Sequence, residues 1–356
     1  MESEVNAMAR GCIRKAFYLA LILLGVSLLC FALLHLSGRD PALAIALRAQ
    51  NVSEENLARL REELGLTGTP VQQYFRWLSG FLRGDFGYSI YSGRNVALDI
   101  AEKLPVTCSL MGLAMGWILL LGTPAALRAA YRPGKLFDQT GRVLSILAIC
   151  IPAFWLGYML LVVFAVRIPL VTVVPRPGLA GLLMPSLALA IPSAGSYVRV
   201  FRASLLRQMG SEYCLIARTR GLNRRQILLS HALRNALPPA VTLLMQFMGY
   251  LFTGSVLVES VFSLNGLGAY ILNCALASDA SALAACLMLA AFVYAVCNML
   301  GELINVLLCP WTGRRDAYER AGTSMPESAG RHWFCHDRAV FAGGRVCAAA
   351  CAQQSV

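Results

Sequence analysis

Leu104-Pro-Val-Thr-Cys-Ser-Leu-Met-Gly-Leu-Ala-Met-Gly-Trp-Ile-Leu-Leu-Leu-Gly-Thr-Pro-Ala-Ala-Leu127 runs without a single charged side chain. A bilayer core about 30 Å thick is crossed by about 20 helical residues, each adding about 1.5 Å of rise. Lipid offers no partner for exposed amides and carbonyls, so such a run must close its own hydrogen bonds as a helix. Five further stretches reach that length, at residues 17–36, 143–166, 179–198, 240–262 and 282–308. The expected fold class is therefore all-α, a polytopic membrane bundle of about six transmembrane helices whose immediate solvent is the lipid bilayer.

Composition agrees, because 57% of the 356 residues are hydrophobic and only 14% charged, too apolar for a soluble domain. The net charge of +12 is spread over short segments between apolar runs and forms no single basic face, which reads as membrane topology and not as a nucleic-acid surface. Among the 12 cysteines, Cys30, Cys108, Cys150, Cys286 and Cys297 fall inside apolar runs and read as small packed hydrophobes, not a disulfide framework. Arg10, Arg14 and Lys15 precede the first apolar run as in a signal peptide, but the run has full spanning length and no small-x-small cleavage site follows; it reads as a membrane helix. Pro124, Pro152, Pro185 and Pro192 lie inside predicted spans and predict kinks, and Gly112, Gly116 and Gly157 predict close helix approach.

Positive charge sets the orientation. Arg199, Arg202, Arg207, Arg218, Arg220, Arg224, Arg225 and Arg234 face one acid, Glu212, between the fourth and fifth spans, which places that segment inside. Acids and bases balance across residues 37–103, which fits an extracytoplasmic insertion. The expected order is a cytoplasmic N-terminus at 1–16, a first span at 17–36, the insertion at 37–103, a core at 104–309 and an unstructured cytoplasmic tail at 310–356. Both termini are then cytoplasmic. Within the insertion, Ser53 with Glu54 and Glu55 predicts a helix start and Gly65 its end. The stretch 70–82 puts Tyr74, Trp77, Leu78 and Phe81 on one helical stripe, suited to the membrane boundary or to packing on the bundle's outer end.

The inside loop at 211–239 reads as two short helices. Ser211 and Glu212 open the first, with Tyr213, Ile216 and Ala217 along one apolar edge. Gly221 is placed to end it in the left-handed conformation, and Asn223 with Gln226 has capping-box spacing for the second. Pro238-Pro239 then stops that helix or marks entry to the next span. A capped basic pair projecting from a bundle has the shape of a docking knob; the bland alternative is a loop against lipid headgroups.

Glu212, Ala217, Gly221 and the ending Leu237-Pro238 resemble the EAA loop of binding-protein-dependent ABC transporter permeases, and Ala217-Arg-Thr-Arg-Gly-Leu222 is similar to its peptide and nickel branch. The same branch is matched in order by Gly38 to Pro41, Glu63 to Leu66, Pro70 to Tyr74, Gly84 to Ser89, Leu104 to Thr107, Ile151 to Trp155, Arg199 to Ala203, Val258 to Phe262 and Asn265 to Gly268. The resemblance implies a permease of an ATP-driven importer, paired with a second homologous permease, two ATP-binding cassette ATPases and an extracytoplasmic solute-binding protein. It assigns Glu212, Tyr213, Ala217, Arg218, Arg220, Gly221 and Leu222 to the segment that couples to the ATPase. The Asp40-Pro41-Ala42 run and residues 51–66 look closest to permeases for nickel or metal chelates, with dipeptide and oligopeptide permeases sharing most landmarks. Asn265 stands where the family commonly has Pro, Glu302 where it has Asp, and Cys309-Pro310-Trp311 where it has Asp-Pro-Arg.

No phosphate-cradling Gly-x-x-x-x-Gly-Lys-Ser/Thr occurs, and the four His are dispersed, so no catalytic residue, cofactor or metal site is assigned. His332, Cys335, His336, Cys347 and Cys351 match no standard zinc spacing. Glu259 and Glu302 are the acids nearest the membrane interior; they are candidates for the solute pathway, or for snorkelling and pairing. The rival functions are a secondary transporter, which would show internal repeats, and a membrane scaffold without transport.

Overall fold

The structure, a computed structural model, describes residues 19–32, 41–48, 52–63, 67–168 and 178–308, with Phe17, His35 and Gln50. The predicted segments 1–16 and 310–356, together with Gly65 and Gly38-Arg39-Asp40, lie outside them. The chain divides into Met1–Ile304 and Asn305–Val356; of the second unit, residues 305–308 are described and helical.

Helix follows helix among the described residues. Helix α1, Leu19–Ala32, is the described part of the first predicted span. The insertion holds α2 (Pro41–Arg48), α3 (Glu54–Glu63) and α4 (Pro70–Leu82). The core holds α5 (Val96–Tyr131), α6 (Leu136–Cys150), α7 (Ala153–Leu161, continued by a π-turn at Val162–Arg167) and α8 (Leu179–Met209). Then come α9 (Glu212–Thr219), α10 (Arg224–Gln226), a π-turn (Ile227–Ala232), α11 (Leu233–Val261), α12 (Leu267–Leu276) and α13 (Ala280–Leu308). Among the described residues, Val96–Tyr131, Leu179–Met209, Arg224–Val261 and Ala280–Asn305 are long and apolar enough to span a membrane, and α6 with α7 makes a fifth if the bent pair is one span.

That pair carries the kink predicted at Pro152, within the span 143–166, as far as a bend of 96°. A proline disfavours helical backbone in the residue before it; Ile151 is extended (φ −89°, ψ 121°) and Pro152 begins the next helix as its N-cap. Pro124, Pro185 and Pro192 stay within their helices. The arginines at 199, 202 and 207, read as loop, also belong to a helix, because α8 extends to Met209. Arg202 there grips the buried Asp138 of α6, its Nη2 2.7 Å from Oδ2.

Helix α8 packs against α5, α6, α7 and α11. Small residues on its buried faces, among them Ser186, Ala188, Ala190, Ser193 and Gly195, allow backbones to approach where no hydrophobic effect drives helices together in lipid. A Cβ on Gly195 would stand 2.7 Å from the Ser145 carbonyl, and one on Gly157 would stand 2.9 Å from the Phe262 ring. Gly112 and Gly116, also predicted at close approaches, face open space. Trp117 Nε1 donates to Ser186 Oγ across the α5–α8 seam at 3.2 Å.

Helix α4 has the limits that its pattern predicts, closed by a Thr69–Gln72 capping box. Of its aromatic stripe, Tyr74 is buried, its hydroxyl 2.8 Å from Ser27 Oγ of α1. Trp77 and Phe81 pack on Cys30, Ala284 and Met288. The stripe thus packs on the bundle.

Candidate functional site

Between α8 and α11 the chain turns out and back as a hairpin. Ser211 takes the N-cap backbone conformation (φ −73°, ψ 158°), but its hydroxyl donates to the Gln208 carbonyl at 2.5 Å and caps nothing. The other end of α9 closes as the sequence predicts. Gly221 is left-handed at φ +85°, its N–H reaches the Arg218 carbonyl at 3.0 Å, and the Leu222 N–H reaches the Ala217 carbonyl at 3.3 Å. These paired bonds form a Schellman motif, which satisfies carbonyls that the helix end would otherwise leave open. A Cβ at Gly221 would meet nothing, so conformation alone asks for glycine there.

The capping box also forms: Gln226 N–H donates to Asn223 Oδ1 at 2.9 Å, and Asn223 N–H donates to Gln226 Oε1 at 3.0 Å. The second helix is not short, however. It passes through the π-turn into α11, and Pro238-Pro239 lie inside that helix instead of stopping it. One helix from Arg224 to Val261 thus joins the hairpin to the membrane core. Ser204 Oγ adds a 3.0 Å bond to the Ala236 carbonyl beside the prolines.

Burial sorts the hairpin into two faces. Cys214, Ala217, Ile227 and Leu228 belong to the main core, and Tyr213 and Leu222 pack against it. The Tyr213 hydroxyl donates to Gln208 Oε1 at 2.6 Å, and burial pushes its pKa up from the ordinary value. Glu212, Arg218, Arg220 and Gly221 are exposed, together with Leu215 and Ile216. Of the predicted apolar edge, Ala217 is buried and Tyr213 packs against the core while Ile216 points outward, and Cys214 is buried with Ala217. The outward face therefore combines two aliphatic side chains with one acid and two arginines, all carried on a knob keyed into the bundle.

The predicted pathway acids have contrasting surroundings. Glu302 is exposed on α13. Glu259 is fully buried: Thr107 Oγ1 donates to its Oε1 at 2.7 Å, and the Ala269 N–H donates to its Oε2 at 3.0 Å. Thr107 Oγ1 in turn accepts the Leu267 N–H at 2.8 Å, so the carboxylate sits at the start of α12, where backbone N–H groups favour negative charge. A Cβ on Gly266 would collide with the carboxylate. Three sequence motifs, 104–107, 258–262 and 265–268, thus converge at one point. Asn265 accepts from Lys103 Nζ at 2.9 Å.

Asp279, which the sequence reading passed over, is a second such anchor. Its Oδ2 accepts from Ser89 Oγ at 2.5 Å and from the Tyr91 N–H at 3.1 Å, and its Oδ1 accepts the Ala282 N–H at 3.2 Å. Its signal was an acid just ahead of the last apolar run, in N-cap position for α13. Asp138 left none, since its partner Arg202 lies 64 residues on.

Residues 119–314 match the family described as binding-protein-dependent transport system inner membrane component, and residues 8–111 match its N-terminal component. The chain belongs to this family. A peptide transport system permease of Brucella suis biovar 1 is 32% identical over 297 residues, covering 81% of this chain and 94% of the relative. Two Escherichia coli K12 proteins, the D,D-dipeptide permease DdpB and the dipeptide permease DppB, are each 29% identical, over 333 and 318 residues. These alignments cover 85% and 81% of this chain, and 96% and 94% of the relatives. The permease is thus a multi-pass inner-membrane component of an ABC transport system, and the family match from residue 119 onward takes in the whole hairpin.

Proposed function

We propose that this permease is half of the membrane channel of a peptide importer, and that the hairpin is the coupling element gripped by an ABC ATPase. The supporting observation is the hairpin's two-sidedness: Cys214, Ala217, Ile227 and Leu228 are locked into the core while Glu212, Leu215, Ile216, Arg218 and Arg220 face out. A push on the outward face passes without slack into the helix Arg224–Val261, since packed interiors transmit displacement. Leu215 and Ile216 fit an apolar groove on the motor, while the arginines guide approach and register. Ala217 and Leu222 act from inside, as the packed pair that closes the α9 cap.

The complete machine pairs the permease with a homologous second one, two ATPase subunits and an extracytoplasmic binding protein. ATP binding draws the ATPases together, the coupling hairpins follow, and the shared cavity changes the side on which it opens. The names of the three relatives favour short peptides over metal chelates as cargo. With the hairpin inside, both termini lie in the cytoplasm.

Co-expression with the ATPases tests the reading. The parent permease is expected to co-purify with them, and Glu212→Lys and Gly221→Pro to lose them while remaining in the membrane. Retention of the ATPases by both variants would overturn the coupling role. Labelling of Arg220→Cys in intact cells by a membrane-impermeant thiol reagent would overturn the orientation.

A further inference from the structure

A side chain facing lipid finds no hydrogen-bond partner there, so the outer face of a spanning helix should be apolar. Helix α6 obeys: Val143, Leu144, Ile146, Leu147 and Ile149 are its exposed residues between Arg142 and Cys150. Helix α11 does not. The exposed positions in the middle of its span are Thr242, Gln246, Tyr250 and Thr253, at the four, four and three spacing of a single helical stripe. The threonine hydroxyls donate to the Pro238 and Gly249 carbonyls, each at 3.0 Å. The amide of Gln246 and the phenol of Tyr250 point away from the core of the bundle.

Helix α13 forms the other wall. Gln246, Gly249, Tyr250 and Thr253 join Ala290, Ala291 and Tyr294 around an open cavity of about 460 Å³. A Cβ on Gly249 would run into the Tyr294 ring, so glycine lets that aromatic ring lie against the α11 backbone. The lining offers an amide, hydroxyls and aromatic faces, with neither a charge nor an imidazole or thiol that could hold a metal.

We propose that this stripe is the permease's face on the solute path, and that Gln246, Tyr250 and Tyr294 hold the backbone amides of a passing short peptide by neutral hydrogen bonds. The inference rests on the importer reading and adds the residues and the class of contact. A permease–permease seam is the competing use of the same face. Membrane helix seams are built on small residues that let backbones touch, whereas here Gln246, Tyr250 and Tyr294 stand among the smaller residues and a hollow remains between them.

The test uses the whole transporter in a strain deleted for its own peptide permeases. Uptake of a radiolabelled dipeptide is measured for the parent, for the Gln246→Ala/Tyr250→Phe double variant, and for Leu147→Ala on the apolar α6 face. The double variant is expected to lose at least about tenfold in uptake while still co-purifying with both the second permease and the ATPases, as lost hydrogen bonds to the solute require. Leu147→Ala is expected to match the parent. Thr253→Cys should react with a water-soluble thiol reagent above the parent's own labelling, and saturating dipeptide with the binding protein should slow that reaction. Uptake by the double variant within about twofold of the parent would overturn the proposal. So would loss of the second permease in step with uptake, or a Thr253→Cys that cross-links to the second permease and stays closed to the reagent. A parent chain that fails to co-purify with the ATPases would instead sink the importer reading, and this inference with it.

Discussion

The hairpin and the region around α12 treat charge in opposite ways. At the hairpin, Glu212, Arg218 and Arg220 are exposed, and what is buried is apolar or closed by backbone caps. Around α12 the acids turn inward: Glu259, Asp279 and Asp99 are all buried, held by hydroxyls and backbone N–H groups, with Arg94 also 3.5 Å from Asp99. A buried polar network holds only while every member is satisfied, since a stranded group costs about 1–3 kcal/mol. An exposed charge costs almost nothing to keep and is free to meet a partner. The α12 region is therefore built for fixed geometry, and the hairpin for docking.

Removing the inward carboxylate should break that contrast most severely. Glu259→Ala leaves the Thr107 O–H and the Ala269 N–H without their acceptor and opens a void, a loss of roughly 3–5 kcal/mol. Its thermal midpoint in detergent should fall far below the parent's, with Glu259→Gln recovering much of the loss because one acceptor and the volume remain. An Ala variant that melts with the parent would mean that the α12 region does not depend on this anchor.

A smaller effect is expected at Gly221. Open space surrounds its missing Cβ and φ is +85°, so Gly221→Ala should cost only the left-handed strain, about 1–2 kcal/mol. The strain is local to the cap, so ATPase co-purification should weaken more than the melting temperature falls. A fall in melting temperature as large as that of Glu259→Ala would blur the division between the two regions.

The smallest change in stability should come from Arg220→Gln. The side chain is exposed, and such substitutions usually stay within about 0.5 kcal/mol. Melting should be unchanged while ATPase association becomes weaker and less sensitive to salt, as removal of a steering charge requires. Association with an unaltered salt dependence would remove Arg220 from the docking face.

Much of this was legible in the residues themselves. The all-α bundle follows from the lengths of the uncharged runs, and the limits of α4, the Gly221 turn and the Asn223–Gln226 box follow from neighbours within a few positions. The same local rules misassigned the Ser211 hydroxyl and did not divide the edge of Tyr213, Ile216 and Ala217 into inner and outer members, because which side of an eight-residue helix is covered depends on what α8 and the π-turn press against it. Pro238-Pro239 carries a breaking signal, yet the helix runs on through it inside a packed bundle. The stripe 242–246–250–253 could have been counted from the sequence, but its meaning required knowing that this side of α11 is left open.

The sequence by itself determined that this chain crosses a membrane as helices and carries a capped basic hairpin on one side, because helix hydrogen bonds and caps join residues at most a turn or so apart. Only the tertiary structure decided that Glu259 is an enclosed anchor, that Asp138 holds Arg202, and that the kink at Pro152 opens to 96°. The hydroxyl facing Glu259 lies 152 positions away in the chain. No local rule reaches that far, and the state of a buried charge depends on whatever group the fold brings to it.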